Sequence, residues 1–202
     1  MQMTFNIPLY RFFSKESHVD SMINDGLVRF NTVRAFNTLD DDQYRDIDEG
    51  GHVFKEPTKM IPLYGDPRHL PKIVVAQTLR KRRIPDAWAF CGSCSPASKA
   101  KKSYAVRIEH VIGFMQQLDY ALEKKYGEKL QILFGPVSYS TEEMNSFSKH
   151  EQPPYFSKLE IYKNDLEFRV VVIPPDSLEK IEPETFQIPE PNKIFTKAFC
   201  LH

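Results

Sequence analysis

Residues 153–175 read PPYFSKLEIYKNDLEFRVVVIPP. A polar segment leads into an acidic cluster, and a β-branched run closed by two prolines follows. Alternation makes residues 167–173 a strand, with Phe168, Val170 and Val172 on one side and Arg169, Val171 and Ile173 on the other. Asp165 and Glu167 stand where the chain enters that strand, on one edge and about 6–7 Å apart along it. A carboxylate there, beside Tyr162 and Arg169, suits a polar ligand. It suits an ordinary salt bridge equally well.

The chain has 202 residues, 41% hydrophobic, with 27 basic and 27 acidic side chains. That length supports one domain with a real core, spanning 1–202 and ending in a Pro- and Glu-rich extension from about residue 175. Zero formal charge removes any overall electrostatic drive toward nucleic acid, although a local patch is compatible with it. No apolar run reaches the roughly 18–20 residues of a membrane span. The start, MQMTFNIPLYRFF, does not read as a secretory signal. Three cysteines do not make a disulfide framework, so the expected setting is cytoplasmic and reduced.

Strands are expected over residues 7–13, 27–30, 72–76, 88–91, 103–109, 130–140 and 193–200. Residues 18–24 suit a short helix capped by Ser14 and stopped at Gly26. Residues 110–126 suit a longer helix: Val111, Phe114, Met115, Leu118 and Leu122 recur at helical spacing, and Gly127 follows. Residues 141–143 suit the start of another short helix. The acidic stretch ending in Arg45, Asp46, Asp48, Glu49 and Gly50 reads as a surface loop. It lacks the calcium-loop spacing. Arg80–Arg83 reads as a basic solvated loop or a phosphate contact. Many strands with few helices make the fold mixed α+β.

Four groups of residues bear on chemistry. Cys91 and Cys94 have CxxC spacing, but Cys200 is the one other cysteine and the histidines show no paired spacing, so no metal site is expected. Ser93 and Ser95 follow Phe90 at a strand end without a nucleophile elbow. They suit either local backbone bonding or a ribose or phosphate contact. Arg11 interrupts the apolar LYRFF, where a guanidinium needs a salt bridge or a ligand. No glycine-rich phosphate loop occurs, so a bound nucleotide would not lie in a Rossmann crevice.

Six segments in order carry a resemblance: LYRFF, RDIDEG, FCGSCS, SYAVRIE with its helix, FGPVSY, and PYFSK…Y…LEFRVVV. Together they resemble phage- and bacterium-encoded domains of unknown function with an ADP-ribosyltransferase-like fold. The likeness runs from Leu9 to Ile173. It implies split antiparallel sheets around a cleft with helices outside, and NAD as co-substrate. It implies nucleotide contact for Arg11, a ribose brace from Phe90, Ser93 and Ser95, and an acceptor-facing aromatic in Tyr162. Glu167, with Asp165 two residues before it, corresponds to the catalytic carboxylate that bonds the ribose 2′-hydroxyl and stabilises an oxocarbenium-like transition state. Asp165 replaces the usual Glu or Gln, and the serine motif departs from Ser-Thr-Ser.

Three functions follow as expectations. The first is NAD-dependent transfer of ADP-ribose to a macromolecule, a protein rather than nucleic acid. The second is a non-catalytic protein on the same fold that acts by protein–protein interaction, with Glu167 paired to Arg11 or Arg169. The third is nucleic-acid binding through Arg80–Arg83 and Lys99–Lys102, two basic clusters that lack interleaved aromatics.

Overall fold

A computed structural model of the chain describes residues 7–35, 51–55, 59–61, 74–76, 79–83, 85–97, 102–140 and 154–199. The first elements are β1 (Leu9–Phe13), α1 (Glu16–Asn24) and β2 (Leu27–Thr32). Four short strands follow: β3 (Gly51–Lys55), β4 (Lys59–Ile61), β5 (Val74–Ala76) and β6 (Leu79–Arg83). Then come β7 (Trp88–Ser93), β8 (Tyr104–Ile108), α2 (Val111–Tyr126), β9 (Ile132–Pro136) and β10 (Ser138–Ser140). The chain ends with β11 (Ser157–Leu159), β12 (Glu167–Val172), β13 (Glu184–Gln187) and β14 (Phe195–Phe199). The fold is α+β, an open antiparallel sheet with two helices.

That sheet has eight strands and forks at β7. One edge of β7 is paired throughout with β12, from Ser93 opposite Glu167 to Trp88 opposite Val172, and β12 pairs onward with β9. The other edge is shared. β2 takes Trp88 and Ala89, and β1 takes Ser93 alone. From that fork β2 continues to β13, and β1 to β8 and β14. The branches belong to one sheet, where two split sheets were expected. Every residue of β12 is buried and five of six in β7 are, as befits strands paired on both edges at the centre of a sheet. The segment after Pro175 supplies β13 and β14, and its Phe186, Ile188, Ile194 and Phe195 enter the core.

Both helices cover the same face. Val19 and Met22 of α1 pack with Phe114, Leu118 and Leu122 of α2 against Phe90, Val106, Phe168 and Val170. The helical spacing of α2's apolar residues therefore becomes its buried stripe, and Gly127 ends it in the left-handed conformation, φ 73°. In α1 the expected Ser14 cap is replaced by Lys15 at the N-cap, with no side-chain hydrogen bond. Gly26, φ 68°, has no room for a side chain: a Cβ would lie 2.3 Å from the Ile188 carbonyl oxygen. A smaller apolar cluster lies on the opposite face, where Tyr155 and Phe156 cover Ala87, Ala89 and Val171.

Arg80–Arg83 belongs to a strand and not to a loop. β6 pairs antiparallel with β3, and β5 pairs antiparallel with β4. The expected acidic surface loop at Arg45–Gly50, the expected helix start at 141–143 and Cys200 all lie outside the described residues.

Candidate functional site

Register decides which predicted residues meet. Residues directly opposite in neighbouring strands project from the same face. Tyr10, Ser93 and Glu167 form one such row across β1, β7 and β12. Arg169 lies opposite Cys91 and Val171 opposite Ala89, on the same face as Glu167. That face bears the smaller cluster; Phe168 and Val170 point to the helices.

Glu167 is the centre of this face, 8% exposed. Its Oε1 accepts from Arg169 Nε at 2.6 Å, and its Oε2 accepts from Lys158 Nζ at 3.0 Å. Arg169, 2% exposed, also donates from Nη1 to the Tyr155 carbonyl at 2.8 Å. Lys158 lies 3.8 Å from Asp165 Oδ2 and 4.5 Å from the Tyr162 ring centre. The backbone of Glu167 is held as well. Its N–H donates to the Tyr139 hydroxyl at 2.9 Å, and its carbonyl accepts from Val137 N–H at 2.9 Å. β10 and β11, paired in parallel with Tyr139 opposite Lys158, bring these two side chains over the strand end.

Electrostatics follow from this enclosure. Burial alone would raise the Glu167 carboxyl, but the charges and hydrogen bonds of Arg169 and Lys158 outweigh it and hold the group at about 2. Burial pushes the Tyr139 phenol up to about 12, with the Glu167 charge adding to the rise against the bond from the Glu167 N–H. Among the described residues, Glu167 and Asp165 face Lys158 and Arg169, so two negative charges meet two positive ones.

Ser93 and Ser95 join the same strand end. The Ser93 hydroxyl donates to the Asp165 carbonyl at 3.0 Å and accepts from Ser95 N–H at 3.1 Å. Leu166 intervenes between Asp165 and Glu167 with φ 45°, left-handed for a residue that has a Cβ, and is 51% exposed. Its carbonyl accepts from Cys94 N–H at 2.9 Å. This turn carries Asp165 and Leu166 outward and sends Glu167 inward.

Arg11 and Phe90 do not join. Arg11 alternates with Tyr10, so it projects toward the helices, where its guanidinium carbon sits 5.1 Å from the Phe90 ring centre. It also donates to the Cys91 carbonyl. That carbonyl lies in the fork, on the stretch of β7 between the β2 and β1 pairings. Glu167 and Arg11 are thus separated by the sheet, and Arg169 pairs with the carboxylate instead. Cys91 and Cys94 also diverge, one packing with each apolar cluster. Burial raises the Cys94 thiol.

Sequence reasoning missed Lys158, Tyr139 and Tyr155. Each lies nine or more positions from Glu167 in the chain: Lys158 and Tyr139 bond Glu167 itself, and Tyr155 accepts from its partner Arg169. A basic residue in an otherwise amphipathic PYFSKLEIY was the available signal for Lys158.

No protein-family model, curated protein or solved structure matches this chain. Among the described residues, no helix is long and apolar enough to cross a membrane.

Proposed function

We propose that this chain is a non-catalytic binding protein, with Glu167 a buried lock that shapes a protein-facing surface. One observation carries this reading: both oxygens of Glu167 accept from cations, in a cluster that is charge-balanced among the described residues. A carboxylate so neutralised presents little net negative potential to a sugar cation developing beside it. The lock instead fixes the turn Glu160–Asp165 and Leu166, whose exposed leucine with Asp165 and half-buried Tyr162 gives a mixed apolar and polar surface.

A second reading, an ADP-ribosyltransferase-like fold that uses NAD as co-substrate, is favoured by a different observation. Ser93 stands directly opposite Glu167, with Asp165, Ser95 and Tyr162 around them. A carboxylate offers about four acceptor sites, and two are used, so a ribose 2′-hydroxyl has acceptors left. Arg11 does not fit the diphosphate role, because it lies across the sheet. Thermal melting of the wild type and Glu167→Gln with and without NAD, with nicotinamide release measured in parallel, separates the readings. Binding without catalysis predicts neither release nor a shift in midpoint with NAD. Transferase chemistry predicts release that is lost in Glu167→Gln, and a stabilisation of about 2.7 kcal/mol at a hundredfold excess over Kd.

A further inference from the structure

The forked sheet ends in three outer strands, β13, β14 and β9. β13 contains Glu184 and β14 contains Lys197. Charge on an outer strand discourages pairing with another chain. β9 has none, and the surrounding stretch 130–139, LQILFGPVSY, holds no Asp, Glu, Lys, Arg or His. Phe134 stands opposite Val170 and so points to the helix face, yet it remains 40% exposed.

The outer edge of β9 offers backbone groups as well. Val137 N–H donates to the Glu167 carbonyl, and the Gln131 carbonyl accepts from Ile173 N–H. Odd-numbered residues of this segment therefore turn their N–H and C=O toward β12, and Ile132, Phe134 and Pro136 turn theirs away. Among the described residues, no strand pairs with β9 on that side. Pro136 has no N–H to donate, which an outward-facing position tolerates.

These groups match those of a second β9 run antiparallel to the first. With a two-fold axis between the two copies of Leu133, Ile132 of each chain faces Phe134 of the other. Four N–H···O=C bonds form, and none draws on Pro136. An axis at Phe134 would set Ile132 against Pro136 and leave the Ile132 carbonyls without a donor. The axis at Leu133 also places an aromatic ring beside a β-branched side chain twice on the helix face, a favourable cross-strand pair. It brings no like charges together, and the zero net charge of the chain adds no long-range repulsion between copies.

We propose that β9 is a self-association edge: two copies of this chain join antiparallel through Ile132, Leu133 and Phe134, and their sheets become continuous across a two-fold axis. The contact uses the same patch on both chains, so it closes at two.

The test is sedimentation equilibrium of the full chain from about 1 μM to about 1 mM. The average mass should rise from 23.5 kDa toward twice that value and stop there. Phe134→Lys, with its fold checked by circular dichroism, should weaken association more than about tenfold. Cross-linking reads the register. Opposite residues outside the hydrogen-bonded pairs lie about 4.5 Å apart at Cα, within disulfide reach. Under mild oxidation Leu133→Cys should give a covalent dimer joined through position 133 of both chains, which wild type does not. Gly135→Cys, where an added Cβ meets nothing within 4 Å, should give none, because its copy lies about 13 Å further along the strand. A mass that stays at one chain at about 1 mM overturns the proposal, as does a mass that climbs past two. Association of Phe134→Lys equal to that of wild type places the contact elsewhere and overturns it too. Cross-linking of Gly135→Cys in place of Leu133→Cys overturns the register and with it the pairing.

Discussion

Replacing Glu167 by Gln keeps its shape and removes its charge, taking from Arg169 and Lys158 the buried carboxylate that both of them bond. A carboxyl whose value falls from 4.5 to about 2 on folding contributes about 3 kcal/mol at neutral pH, at about 1.4 kcal/mol per pH unit of difference. Breaking a buried pair by removing one partner costs about 3–5 kcal/mol by an independent route. The two figures agree in magnitude, so Glu167→Gln should lose about 3–5 kcal/mol at pH 7. The pH dependence has a defined sign. The folded-state value lies below the unfolded one, so the stabilisation is fully present above about 4.5 and is lost as pH falls toward about 2. Urea unfolding of wild type and variant at pH 7, 5, 4 and 3 measures the difference directly. The gap between the two proteins should narrow from pH 4.5 downward, since the variant has no proton to take up there. A gap below about 1 kcal/mol at pH 7, typical of an exposed pair, would refute the buried lock. A gap that stays constant down to pH 3 would refute its electrostatic origin.

Three further outcomes follow. Gly26→Ala should cost about 2 kcal/mol or more, combining left-handed strain with the clash at Ile188, whereas Gly127→Ala, with nothing within 4 Å of its Cβ, should cost only about 1 kcal/mol; urea midpoints compare them. Tyr139 should remain protonated at pH 11, seen as a late component of the absorbance rise at 295 nm that is reduced in Tyr139→Phe. Its raised value means that this group's contribution to stability is lost between pH 10 and about 12. Leu118→Ala, at a fully buried position on α2, should cost about 2–5 kcal/mol by thermal or urea melting.

Local periodicity was enough for α2, because one apolar stripe at helical spacing can be satisfied by burying one face of a helix. It was also enough for the division of β12 into Phe168, Val170 and Val172 against Arg169 and Val171, because alternation in a strand depends on nothing beyond the chain itself. The α+β class followed from the count of such segments. The basic run at Arg80–Arg83 misled, since four charges in succession carry no alternation; what made it a strand is pairing with Gly51–Lys55 some thirty residues earlier.

The candidate site divides in the same way. The sequence by itself determined that Asp165 and Glu167 lie at a strand entrance, and that Arg169 shares a face with Glu167. Only the tertiary structure decided that Ser93 stands opposite Glu167, that Lys158 and Tyr139 close over it, and that Arg11 lies across the sheet. The physical reason is that a side chain's face within its own strand is set by alternation, whereas its neighbours are set by register. A register shifted by one residue would exchange the two faces of β1 and bring Arg11 to Glu167 with no change in sequence.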